Sequence, residues 1–145
     1  MSAPGAFRPF LEHPERAGVF TDFDGTLAPI VDDPAAARPV DGAADVLQGL
    51  VGRYARAGVI SGRPVAFLRR FVGVPGLLLS GEYGLEQAQG EEVIADDEAR
   101  KWRDAVEDAA ARAESAGVAE RVERNGLSFA LHFRAEPPRR TAVEA

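Results

Sequence analysis

The chain has 145 residues and a net charge of −6, from 17 basic and 23 acidic side chains, and 46% of it is hydrophobic. Those values suit one globular domain with a sizeable core and exclude a disordered chain. The acidic balance argues against nucleic acid or an anionic membrane as partner. With no cysteine, disulfides and thiolate metal sites are excluded. No apolar run nears the roughly 20 residues of a membrane span, and the first 14 residues lack a signal-peptide core, so a cytoplasmic location is expected. Lys101 is the only lysine.

Residues 1–17 read as an irregular lead-in, since Pro4, Pro9 and Pro14 interrupt any helix. A short buried strand is expected over 17–23, then a proline-punctuated loop or flap over 25–39. Asp41 is placed to cap a helix running to about Ala57, with Ala44, Leu47, Leu50, Val51 and Tyr54 near helical spacing, and Gly58 ends it. Val59-Ile60 is a second strand, Pro64 suits the first turn of a helix carrying Phe67, Leu68 and Phe71, and residues 77–79 form a third strand. This β-α-β-α-β order implies parallel strands with right-handed crossovers. Residues 81–94 read as a small hairpin-like excursion. Residues 96–115 form an amphipathic helix burying Trp102, Val106 and Ala109 or Ala110. Residues 121–134 form an antiparallel pair about Asn125-Gly126, Pro137-Pro138 breaks the second strand, and a helix begins at Thr141.

The chemistry concentrates in Asp22-Phe23-Asp24-Gly25-Thr26, directly after the first strand. Two carboxylates at a strand end can supply a nucleophile that forms an aspartyl-phosphate and an acid/base that protonates the leaving oxygen and later activates water. Such a site calls for a hard cation, and Mg²⁺ favours carboxylate and phosphate oxygens. Gly25 permits a turn that aims backbone N–H groups at a phosphate. A surface turn or an Asp helix cap is an equally ordinary reading of an isolated D-x-D-G. A calcium loop is disfavoured, because a strand precedes the motif and Leu27 and Pro29 stand where ligands belong. One β-α unit later, Ser61-Gly62-Arg63 leaves the second strand at the same edge. Its hydroxyl and N–H groups can bind phosphate oxygens, with Arg63 adding charge; the alternative is a serine capping the next helix.

Together these segments resemble the haloacid-dehalogenase-like phosphatases, and the trehalose-6-phosphate phosphatases among them in particular. The first motif extends through Asp22-Phe23-Asp24-Gly25-Thr26-Leu27-Ala28-Pro29-Ile30, and Ile60-Ser61-Gly62-Arg63 is similar to the second. Residues 80–86 resemble a Gly-x-His-Gly segment, with Tyr83 in place of the histidine, and residues 123–134 resemble a strand pair of the cap domain. The resemblance spans about residues 17–136. It implies an α/β fold: a Rossmann-like parallel sheet core, incomplete, over 1–95, and the beginning of an α+β cap over 96–145. It also implies Mg²⁺-dependent hydrolysis of trehalose 6-phosphate, a sugar phosphate, to trehalose and phosphate. By position Asp22 would be the nucleophile and a Mg²⁺ ligand. Asp24 would be the acid/base, with its carbonyl on Mg²⁺. Phosphate would be bound at Asp22, Phe23, Asp24, Gly25, Ser61, Gly62 and Arg63. His132 and Arg134 are candidate cap contacts, although a solvated strand face is the preferred reading of both.

The later lysine and acidic-cluster motifs that the resemblance implies have no counterpart here. Lys101 precedes the strand pair, and Asp96-Asp97 reads as a helix start, where negative charge suits the dipole. A truncated chain is therefore expected, with an unpaired sheet edge, an exposed apolar face and weak or no activity alone. The alternatives are a non-catalytic fragment or interaction module, or a phosphatase for another sugar phosphate such as sucrose phosphate.

Overall fold

Short apolar segments pair into a sheet whose first half is parallel, as the alternation of strand and helix patterns requires. The computed structural model describes residues 5–89, 91–118 and 122–132. Strands β1 (Gly18–Thr21), β2 (Arg56–Ile60) and β3 (Leu78–Gly81) are parallel, with Phe20 opposite Gly58 and Gly58 opposite Leu78. β3 then pairs antiparallel with β4 (Glu86–Gln89), and β4 with β5 (Glu92–Ala95), giving the order β1-β2-β3-β4-β5. The excursion expected over residues 81–94 is thus a hairpin built onto the main sheet.

The lead-in is less irregular than expected: α1 (Arg8–Glu12) forms, flanked by 3₁₀ turns. Pro9 sits in its first turn, where a missing N–H costs nothing. Helices α2 (Ala43–Arg53) and α3 (Val65–Val72) pack on one face of the sheet. Their Leu47, Val65, Leu68 and Val72 close over Ala57, Val59, Leu79 and Phe23 to form the core.

Two expectations about α2 are corrected. Its N-cap is Gly42, at φ 82°, rather than Asp41, and it ends at Arg53 rather than near Ala57. Ala57 and Gly58 belong to β2 instead. Gly58 is there for close approach: a Cβ would lie 2.8 Å from the Leu78 carbonyl oxygen and 2.9 Å from the Phe20 ring.

The helix expected over 96–115 is two helices, α4 (Asp97–Lys101) and α5 (Arg103–Ala113). Asp96 caps α4 by accepting the Ala99 N–H at 2.9 Å. At the break the Trp102 N–H bonds to the Ala99 carbonyl, an i→i−3 bond that tightens the turn, and the regular helix resumes with the Val106 N–H on the Trp102 carbonyl. Trp102, expected inside, is 61% exposed, while Ala110 is fully buried and Val106 half-buried. The antiparallel pair forms as β6 (Val122–Arg124) and β7 (Phe129–Leu131). Arg124 ties it to the end of α5, with a two-pronged contact to Glu114 and a further one to Glu107. Arg134, Pro137-Pro138 and the helix expected at Thr141 lie outside the described residues. No described helix is long and apolar enough to cross a membrane.

Candidate functional site at the strand ends

β1 stops at Thr21 and the chain turns sharply. Asp22 is left exposed at the strand end, whereas the Phe23 side chain is fully buried, edge-on to Phe67 at a centroid distance of 5.6 Å. Asp24 is half-buried beyond it. The Phe23 anchor explains why two carboxylates so close in sequence meet different environments: burying the ring between them fixes the path of the turn.

The turn closes on itself. The Phe23 carbonyl accepts the Leu27 and Ala28 N–H groups, both at 2.9 Å, and the Gly25 N–H, at φ 82°, donates to the Ala28 carbonyl at 2.7 Å. The Phe23 N–H donates to Asp22 Oδ1 at 2.7 Å. The Phe23, Gly25, Leu27 and Ala28 N–H groups thus have acceptors within the turn, in contrast to the free donors expected there.

Thr21 of β1 lies opposite Val59 of β2, so Ser61 emerges at the same sheet edge as Asp22. Ser61 is buried, and its Oγ accepts the Arg63 N–H at 3.2 Å. It is not the helix cap: the N-cap of α3 is Pro64, and Glu86 Oε2 accepts the first helical N–H, from Val65, at 3.0 Å. Arg63 departs from its expected place. Its guanidinium forms a fork on Asp24, with Nε 2.9 Å from Oδ2 and Nη2 2.8 Å from Oδ1. Nη1 donates to the Pro34 carbonyl at 2.7 Å and lies 3.7 Å from Glu123 Oε1, and the plane covers the Phe67 ring at 4.6 Å. The Asp24 hydrogen bonds are the largest cause holding the Arg63 pKa above its ordinary value, against the opposing effect of burial. Arg63 is thus a partner of Asp24, which its 39-residue separation from that aspartate concealed.

The turn after β3 closes the site from the other side. The Glu82 N–H donates to the Arg63 carbonyl and the Tyr83 N–H to the Ser61 carbonyl, both at 3.0 Å. Both residues hold positive φ, 47° and 58°. Glu82, which sequence reasoning passed over, is fully buried. Its Oε2 accepts the Leu127 N–H at 2.8 Å from the β6–β7 turn, and its Oε1 has no partner among the described residues. Burial pushes this carboxyl above the ordinary carboxylate range, opposed by the Leu127 N–H. Of the remaining candidates, His132 Nε2 lies 2.6 Å from Glu123 Oε2, and Lys101 pairs with Glu98 on an exposed helix face.

Among the described residues no three His, Asp or Glu side chains gather into a metal-binding group. Asp22 and Asp24 offer hard oxygen donors, and Mg²⁺ commonly takes one or two carboxylates while keeping waters and adding phosphate oxygens. That limited demand fits the exposed Asp22 carboxylate. It does not fit an all-protein cage, since the Asp24 carboxylate is engaged by Arg63.

Known proteins resemble this chain in sequence and in fold. The Trehalose-phosphatase family model matches residues 20–145. A trehalose-phosphate phosphatase of Mycobacterium leprae is 50% identical over 68 residues, 47% of this chain and 16% of that protein. One from Mycobacterium avium is 54% identical over 68 residues, 17% of its length. Among solved structures, the C-terminal domain of the trehalose-6-phosphate phosphatase of C. albicans superposes with a TM-score of 0.68 at 30% identity, over 88% of this chain and 47% of that domain. A trehalose-6-phosphate phosphatase related protein shares the fold with a TM-score of 0.69 at 18% identity, over 58% of its length.

Proposed function

Because the chain belongs to the trehalose-phosphatase family, we propose that its strand-end site acts on trehalose 6-phosphate, releasing trehalose and inorganic phosphate, as a step in trehalose biosynthesis in the cytoplasm. The observation that carries this reading is the exposed Asp22 carboxylate at the end of β1, with Asp24 two residues on and Ser61 on the same sheet edge. In the proposed reaction an Asp22 oxygen bonds to phosphorus as the ester bond to the sugar oxygen breaks, and Asp24 gives that oxygen a proton. Water then attacks the aspartyl-phosphate, Asp24 takes the proton, and Asp22 and phosphate separate. Ser61 orients the phosphoryl group. Mg²⁺, held by the Asp22 carboxylate and the Asp24 main-chain carbonyl, would supply charge neutralisation.

The Arg63 fork bears on the acid/base role. Both Asp24 carboxylate oxygens accept hydrogen bonds from Arg63, so proton transfer through Asp24 requires the fork to open first. We read residues 1–95 as part of the core and 96–145 as the start of a cap that covers the sugar and excludes water. The sole lysine is engaged with Glu98, and no third carboxylate joins Asp22 and Asp24 among the described residues. We therefore propose slow turnover by this chain alone. Phosphate release should be measured on trehalose 6-phosphate, sucrose phosphate and glucose 6-phosphate with Mg²⁺. The expected result is slow release that favours trehalose 6-phosphate and disappears in Asp22→Asn. Turnover near ~10 s⁻¹ would refute the slow-catalyst reading, and activity surviving in Asp22→Asn would refute the nucleophile assignment.

A further inference from the structure

Tyr83 is placed in a way that packing does not explain. Its side chain is 77% exposed, yet its backbone sits at φ 58°, ψ 28°, a conformation uncommon for a bulky residue. Glu82 before it is also at positive φ, 47°. Two successive strained residues persist only where the surroundings impose them. Here three contacts do so: the Glu82 N–H on the Arg63 carbonyl, the Tyr83 N–H on the Ser61 carbonyl, and the buried Glu82 carboxyl under the Leu127 N–H. The result is an aromatic ring laid on the Ser61-Gly62 loop. A Cβ at Gly62 would come within 2.6 Å of Tyr83 Cζ and 2.7 Å of its Oη, so the ring touches the loop only because residue 62 is glycine.

We propose that Tyr83 is a specificity-determining residue whose ring forms the wall against which the sugar of the bound sugar phosphate packs. The inference rests on the phosphate-site reading of Ser61 proposed above. A phosphoryl group at Ser61-Gly62 places the first carbons of its sugar one ester bond away, beside the exposed ring. A pyranose presents C–H groups on one face, which an aromatic face buries, while the phenol hydroxyl at the rim can exchange hydrogen bonds with sugar hydroxyls. The strain serves to hold the ring in place before the ligand arrives, which reduces the ordering cost of binding.

The test is ligand titration of the 145-residue chain with Mg²⁺, using trehalose 6-phosphate and inorganic phosphate separately, followed by calorimetry and by NMR of the tyrosine rings. Tyr54, the only other tyrosine, serves as the internal control. Trehalose 6-phosphate is expected to shift the Tyr83 ring signals and leave those of Tyr54 in place. Tyr83→Ala should weaken trehalose 6-phosphate binding about tenfold and change phosphate binding by less than about twofold, while Tyr83→Phe recovers most of the loss. Unchanged trehalose 6-phosphate affinity in Tyr83→Ala, or equal losses for both ligands, overturns the inference while the phosphate site stands. If the unsubstituted chain binds neither ligand, the phosphate-site reading fails and the inference falls with it.

Discussion

The two faces of the sheet are built from similar residues and meet opposite fates. On the face under α2 and α3, Ala57, Val59 and Leu79 are buried with Phe23, Leu47 and Leu68. On the other face, Phe20, Ile60 and Leu78 stand 52%, 48% and 39% exposed. Alternation along a strand assigns side chains to faces, but only a covering layer converts apolar surface into stability. The site inherits its rigidity from the covered face: Phe23 anchors the Asp22–Asp24 turn there, and Phe67 carries the Arg63 guanidinium. Among the described residues, the more exposed face contributes none of these.

That contrast can be broken by mutation. Phe23→Ala removes a fully buried ring from the covered face and should cost about 3–5 kcal/mol, read as a fall in the denaturant midpoint. Asp24→Ala leaves the nearly buried Arg63 without its main counter-charge, and a loss of about 3 kcal/mol is expected in the same measurement. Glu82→Gln tests the buried carboxyl through pH. Its raised pKa means that the folded chain holds the proton more tightly than the unfolded one. This contribution to stability is therefore complete below the ordinary glutamate value and is lost as pH rises through the higher folded value. Thermal melts across that window should fall with pH less steeply in Glu82→Gln than in the parent. Phe20→Thr, on the more exposed face, loses a half-buried ring and should cost only about 1 kcal/mol. A loss there as large as that of Phe23→Ala would show that the two faces are not energetically distinct.

Much of this fold was legible in the sequence. Three short apolar runs separated by helical patterns place β1, β2 and β3 in order, and Asn125-Gly126 marks the turn of the β6–β7 hairpin. The strand-end positions of Asp22 and Ser61 follow from the same pattern. What stayed hidden depends on contacts distant in sequence. Nothing local tells that Arg63 reaches back to Asp24 or that Glu82 is buried under Leu127. Gly58 reads as a helix end until Phe20 and Leu78 are seen to crowd it. Trp102 reads as a core residue from its helical spacing to Val106 and Ala110, yet it stands 61% exposed, because burial depends on what packs against a helix face and not on spacing along the chain.

The proposed phosphoryl-transfer site at the end of β1 centres on Asp22. Its most direct test is ¹⁹F NMR of the chain with beryllium fluoride and Mg²⁺, a mimic of a phosphorylated carboxylate. A protein-bound fluorine signal that requires Mg²⁺ and vanishes in Asp22→Asn is expected. No bound signal, or one that survives in Asp22→Asn, would contradict it.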